Sequence, residues 1–217
     1  MQVKICGMTN LEDALCAAQN GAAAAGFIFY LPSPRYIDPP KAREIIDRLP
    51  SHLVKVGVFV NEKEEVVKRI FEECRLDMLQ LHGDESPEYC RRFPSRQIIK
   101  ALELKTDEDI ARVHNFDVAA ILVDARHAGL YGGTGKTANW ELARRVSRPL
   151  ILSGGLNEEN VTAALAQVRP AALDINSGVE TSPGKKDAGK IERMMRIIST
   201  ATSGDMSPQI FVRREET

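Results

Sequence analysis

Two side chains able to move protons stand where strands end. Cys6 closes the short apolar run Val3-Lys4-Ile5, and Asp124 closes the run at 119–123. A thiolate takes a proton from carbon, and a carboxylic acid gives one to oxygen. Each needs a pKa moved from its ordinary range by burial or by a neighbouring charge. Taken singly, Cys6 is as readily a small buried hydrophobe, and Asp124 a helix cap or ion-pair partner. Their occurrence together favours the acid–base reading. Arg35, in the proline-flanked stretch Leu31-Pro32-Ser33-Pro34-Arg35-Tyr36, has the planar fork that clamps a carboxylate by two parallel hydrogen bonds. His82 ends the run Met78-Leu79-Gln80-Leu81 and is placed to line the same pocket.

Two further strand ends carry glycine. Ser153-Gly154-Gly155 and Asn176-Ser177-Gly178 follow the last two apolar runs. Glycine lets backbone N–H groups approach an anion, and an adjoining helix N-terminus adds positive potential. Gly154, Gly155, Ser177 and Gly178 are therefore the candidate phosphate site. The stretch Gly132-Gly133-Thr134-Gly135-Lys136-Thr137 is tested against the nucleotide-binding P-loop and fails. The required glycine would stand at Leu130, and Gly129 is one residue early. This loop, 125–137, is expected to fold over the pocket mouth. A catalytic metal would need several His, Asp or Glu at strand ends, and only His82 and Asp124 qualify, so no metal is expected.

The elements that position these residues alternate. Apolar runs at 3–5, 22–29, 54–60, 78–81, 97–102, 119–123, 149–152 and 171–175 read as buried strands. Between them lie stretches with helical spacing, such as Leu11, Ala14, Leu15 and Ala18, or Val66, Val67, Ile70 and Phe71. Asn10, Asn61, Asn139 and Asn157 are expected helix caps. Eight strand–helix pairs imply a parallel sheet, and their number and length match a single α/β domain, the (β/α)8 TIM barrel. An open doubly wound sheet would place its glycine-rich phosphate loop after the first strand. Here the glycines follow the seventh and eighth, where barrels hold phosphate. The barrel is expected over 1–200, with 201–217 a polar C-terminal tail. In a closed barrel Cys6 and Asp124 face each other across one mouth.

Composition excludes other classes. The 217 residues are 43% hydrophobic and 27% charged, with 29 basic against 30 acidic residues, a net charge of -1. No basic excess points to nucleic acid or to an anionic membrane. No apolar run approaches a membrane span, and a strand pattern follows Met1 with no signal peptide. Cys6, Cys16, Cys74 and Cys90 show no CxxC pair, which suits a reducing cytoplasm.

With these residues in place, the chain resembles the phosphoribosylanthranilate isomerases of tryptophan biosynthesis. The motifs recur in order: Lys4-Ile5-Cys6-Gly7-Met8-Thr9, Ser33-Pro34-Arg35-Tyr36-Ile37 and Leu79-Gln80-Leu81-His82-Gly83. Leu122-Val123-Asp124, Gly132-Gly133-Thr134-Gly135, Ser153-Gly154-Gly155-Leu156-Asn157, Asn176-Ser177-Gly178-Val179-Glu180 and Pro183-Gly184-Lys185-Lys186-Asp187 follow. Asn176 departs mildly from the family, where serine is frequent, and the tail after Thr200 has no counterpart. The resemblance implies an Amadori rearrangement of N-(5-phosphoribosyl)anthranilate to 1-(2-carboxyphenylamino)-1-deoxyribulose 5-phosphate. It implies Asp124 as general acid on the ribose ring oxygen, Cys6 as base at C2, Arg35 on the anthranilate carboxylate, and no cofactor. The only partner expected is the small-molecule substrate, met by a monomer. Two other readings stay open at this point: another sugar-phosphate isomerase or epimerase on the same barrel, and a phosphosugar-binding barrel without catalysis.

Overall fold

The computed structural model describes residues 1–124, 139–203 and 208–214. Eight parallel strands form a closed barrel in sequence order. They are β1 (Gln2–Cys6), β2 (Ala24–Ile28), β3 (Val54–Phe59), β4 (Met78–Leu81), β5 (Ile98–Leu102), β6 (Ala120–Val123), β7 (Leu150–Leu152) and β8 (Ala172–Ile175). The helices are α1 (Leu11–Gln19), α2 (Pro39–Ile46), α3 (Glu64–Glu73), α4 (Pro87–Cys90), α5 (Asp107–Val113), α6 (Trp140–Ala143), α7 (Val161–Val168) and α8 (Ala188–Ala201). The expected (β/α)8 barrel is therefore the observed one. The glycine-rich stretch 125–137 lies outside the described residues.

Strand register fixes which side chains share the interior. Closure comes from β1 pairing with both β2 and β8, with Lys4 opposite Asp174 and Cys6 opposite Gly26. Period-two alternation turns Lys4 and Cys6 to the inside and Val3 and Ile5 to the helices. The strands are buried on both faces, which is why they read as continuous apolar runs. The lower interior is an apolar layer that includes Ala24, Val56, Met78, Ile99, Ala120 and Ile151. Toward the C-terminal strand ends, buried Lys4, Gln80 and Asp174 stand beside a small apolar cluster of Cys6, Ile28 and Val58.

Caps set the helix starts. Asn10 Oδ1 accepts from the Asp13 N–H at 2.9 Å, Asn139 Oδ1 from Leu142 N–H at 3.2 Å, and Asp187 Oδ1 from Lys190 N–H at 2.9 Å. Two expected caps act differently. Asn61 Oδ1 accepts from the Asp84 N–H at 2.7 Å, so it ties the loop after β3 to the loop after β4, and α3 begins after Lys63. Asn157 caps only the turn before α7, accepting from Glu159 and Asn160 N–H at 3.0 Å, while Asn160 stands at the helix N-cap.

Two features were not expected. Glu180–Ser182 (β9) and Lys185–Lys186 (β10) form a small antiparallel hairpin between β8 and α8. The other concerns the segment read as a polar tail. Ile210 and Phe211, each 4% exposed, join the lower apolar layer. Gln2 binds them from β1: its Oε1 accepts from the Ile210 and Phe211 N–H groups at 2.6 and 2.9 Å, and its Nε2 donates to the Phe211 carbonyl at 3.1 Å. Arg214 continues the attachment through Asp77 and Glu72 and lies over the Phe71 ring. The segment 208–214 thus stoppers the N-terminal end of the barrel, opposite the mouth. The apolar run Ile210-Phe211-Val212, flanked by polar residues, is too short a pattern to show in sequence where it docks.

Candidate active site

The C-terminal strand ends line a cleft that opens to solvent. Cys6, Arg35, His82, Asp124, Gly154, Gly155 and Ser177 all line it. Gly178 stands behind the wall, pressed against the Leu156 carbonyl so closely that no side chain would fit. Its contact clamps the loop after β8 to the loop after β7, which holds the two glycine turns together. Gly154 and Gly155 have φ of 87° and 62°, a left-handed conformation that glycine adopts without strain. Gly154, Gly155 and Ser177 line the cleft, and backbone N–H groups of such turns can receive an anion.

Across from these turns stands a chain of polar side chains. His82 Nε2 lies 3.1 Å from Asp124 Oδ2, and Gln80 Nε2 lies 2.7 Å from His82 Nδ1. All three are buried. Gln80 Oε1 is buried without a partner. When the amide donates to Nδ1, the imidazole carries its proton on Nε2 and donates to Asp124. With the amide turned over, Oε1 accepts from Nδ1–H and Nε2 accepts from a protonated Asp124. The chain is therefore built to serve either protonation state of the carboxyl.

Cys6 is 4% exposed. Burial pushes its thiol up, and the Lys4 ammonium partly offsets this. Lys4 is itself wholly buried, with Nζ 2.8 Å from Asp174 Oδ1. Burial works against its charge, but the Asp174 carboxylate and the Cys6 sulfur outweigh it, and its pKa is raised.

Arg35 sits at the rim and its fork is already engaged. Its Nε donates to Glu180 Oε1 at 2.9 Å and its Nη2 to Oε2 at 2.7 Å. Lys186 Nζ reaches the same Glu180 at 2.8 Å and Asn176 Oδ1 at 2.9 Å. Burial pushes the Glu180 carboxyl up, but Arg35 and Lys186 hold it below its usual range. Burial pushes Lys186 down, and Glu180 only partly restores it. The expected two-bond clamp is thus made to Glu180, through Nε and Nη2.

Sequence reasoning missed Lys4, Gln80, Asp174, Glu180 and Lys186. All but Gln80 are charges inside or beside apolar strands, and each finds its partner only through barrel closure or the hairpin.

The geometry can be set beside known proteins. The family model for N-(5'phosphoribosyl)anthranilate (PRA) isomerase matches residues 3–196. The chain belongs to the N-(5'-phosphoribosyl)anthranilate isomerase family. The isomerase of Syntrophus aciditrophicus is 54% identical over 199 residues, covering 91% of this chain and 86% of that one. The crystal structure of the Thermotoga maritima isomerase is 44% identical with a TM-score of 0.82, covering 93% of this chain and 98% of that one. A family structure solved in complex with reduced 1-(o-carboxyphenylamino)-1-deoxyribulose 5-phosphate is 42% identical, with a TM-score of 0.80 and coverage of 92% and 99%. The family match ends at residue 196, so the segment that stoppers the barrel lies outside it.

Proposed function

We propose that this enzyme carries out the Amadori rearrangement of N-(5'-phosphoribosyl)anthranilate in tryptophan biosynthesis, with Asp124 as acid and Cys6 as base. The observation that carries the residue roles is the cleft itself. It joins a thiol, a carboxyl on an imidazole chain, a guanidinium and two glycine turns at one mouth. Gly154, Gly155, Ser177 and the loop held by Gly178 take the phosphate. Arg35 meets the anthranilate carboxylate. His82 orients Asp124.

The protonated Asp124 gives its proton to the ribose ring oxygen. The C1–O bond breaks, and the anilino nitrogen lone pair forms the iminium. Cys6 thiolate then removes the C2 proton. The electron pair of that C–H bond forms the C1–C2 double bond, while the iminium π electrons return to nitrogen. The resulting enolamine gains a proton at C1 and loses the one on its C2 hydroxyl, giving the ketone. The iminium is the electron sink, so the chemistry needs no cofactor. One chain supplies every proposed residue, so the active unit in this reading is the monomer. The four thiols are free, in keeping with a reducing cytoplasm. No helix among the described residues is long and apolar enough to cross a membrane.

The test follows loss of the fluorescent anthranilate substrate in Cys6→Ser and Asp124→Asn. General acid–base groups contribute about 10²–10⁴-fold, so each variant should lose at least about a hundredfold in kcat. Affinity for a reduced product analogue should hold, because its phosphate and carboxylate contacts lie elsewhere. Cys6→Ser retaining more than about a tenth of wild-type kcat would remove the thiol from the mechanism.

A further inference from the structure

A buried thiol is a poor base. Cys6 is 4% exposed at the floor of the cleft, and burial favours its neutral form. Something must make the thiolate accessible, and the register of the barrel supplies it. Lys4 and Cys6 are alternate residues of β1 and point to the same side. Lys4 is paired in register with Asp174 on β8, and Cys6 with Gly26 on β2. A Cβ on Gly26 would stand 2.7 Å from the Cys6 sulfur and 3.1 Å from Lys4 Nζ. Both atoms therefore occupy the space that the absent side chain leaves.

We propose that Lys4 is a positioning residue for proton abstraction: its ammonium, anchored by Asp174 and admitted beside the sulfur by Gly26, stabilises the Cys6 thiolate. This rests on the reading of Cys6 as the base. In the step concerned the C2–H bond breaks, and its proton passes to sulfur. The C–H electron pair goes to C1–C2, and the ammonium transfers nothing. An ion pair on its own gives little reason for a wholly buried lysine, since an apolar pair of equal volume is about as stable. The layer beneath it is apolar.

The charges facing the sulfur act in both directions. Lys4 on β1 and Lys186 on the hairpin favour the thiolate, and Asp174 on β8 opposes it. Arg35 packs on neighbouring Gly7, and Asp124 and His82 stand on the cleft wall with Cys6. Gly26, on β2, carries no charge.

The experiment is site-resolved alkylation of the full-length enzyme by iodoacetamide, read by mass spectrometry at fixed pH. The rate at Cys6 follows its thiolate fraction. Cys74 and Cys90, buried outside the cleft, are internal controls for opening of the fold. Lys4→Met should slow Cys6 at least about tenfold relative to Cys90, one pH unit in thiolate fraction. The acidic limb of kcat/KM should move up by a similar interval. A lysine that only held the fold together would leave Cys6 unslowed relative to Cys90 in Lys4→Met, because a loosened barrel exposes all three thiols. Should Lys4→Met fail to fold, Lys4→Met/Asp174→Leu restores an apolar pair for the same reading. An unchanged or faster Cys6 relative to Cys90 in the lysine variants overturns the inference. Full turnover by Cys6→Ser would instead overturn the assignment of the base, so the two failures are distinct.

Discussion

Replacing Phe211 by alanine should destabilise the enzyme without touching catalysis. The ring is 4% exposed in the lower apolar layer, and its backbone is held by Gln2. Core Phe→Ala changes cost about 3–5 kcal/mol. Here the loss is smaller, because the segment can leave the barrel altogether once its docking becomes unfavourable, so about 2–3 kcal/mol is expected. For a chain of this size each kcal/mol lowers Tm by about 2–4 °C, so the fall should be about 4–12 °C. Thermal unfolding followed by far-UV circular dichroism measures it, with the urea midpoint as a second reading. Val212, the next residue, is 41% exposed and serves as control: Val212→Ala should stay within about 0.5 kcal/mol. Both variants should keep wild-type kcat and KM, because the segment closes the end of the barrel opposite the mouth. A Phe211→Ala shift no larger than that of Val212→Ala would show that the segment contributes nothing to the barrel.

Glu180→Gln leaves the Arg35 and Lys186 charges without their shared carboxylate, and breaking a buried pair of this kind costs about 3 kcal/mol. Because the Glu180 carboxyl is held below its usual range, its contribution is fully present above the unfolded value of about 4.3 and is lost as pH falls through the lower folded value. Urea unfolding should therefore separate wild type from variant widely at pH 6 and progressively less below about pH 4. An equal gap at all pH values would contradict this. Gly155→Val puts a β-branched residue at a φ of 62° and fills the approach to the phosphate. KM should rise much more than kcat falls in the fluorescence assay, and an unchanged KM would take the phosphate out of this turn.

The barrel was legible because each strand is buried on both faces and each helix on one, and those two patterns differ in period. The positions of Cys6, Asp124, His82 and the glycine turns followed from strand ends alone. The hairpin between β8 and α8 was not legible, since Glu180-Thr181-Ser182 and Lys185-Lys186 show neither alternation nor apolar character. Nor was the pairing of Arg35. An arginine between prolines looks available for a ligand until the hairpin brings Glu180 to it from 145 residues away. Gln80 failed for a different reason. It reads as one polar residue in an apolar strand, and its use depends on which nitrogen of His82 it meets.

The pairing of β1 with β8 also sets a timetable. Lys4 and Asp174 are 170 residues apart in the chain. At about 5–20 residues per second of synthesis, the lysine waits on the order of ten to thirty seconds for its counter-ion. Until then the first strand has an open edge on the side that β8 will fill, and its inward ammonium has no carboxylate to face. The nascent enzyme can assemble its early strand–helix units on the ribosome, but both the counter-ion and the stopper arrive with the last fifth of the chain. A ribosome-bound form lacking β8 is thus an open sheet with an unpaired charge in its concave face, a species that water must keep wetted.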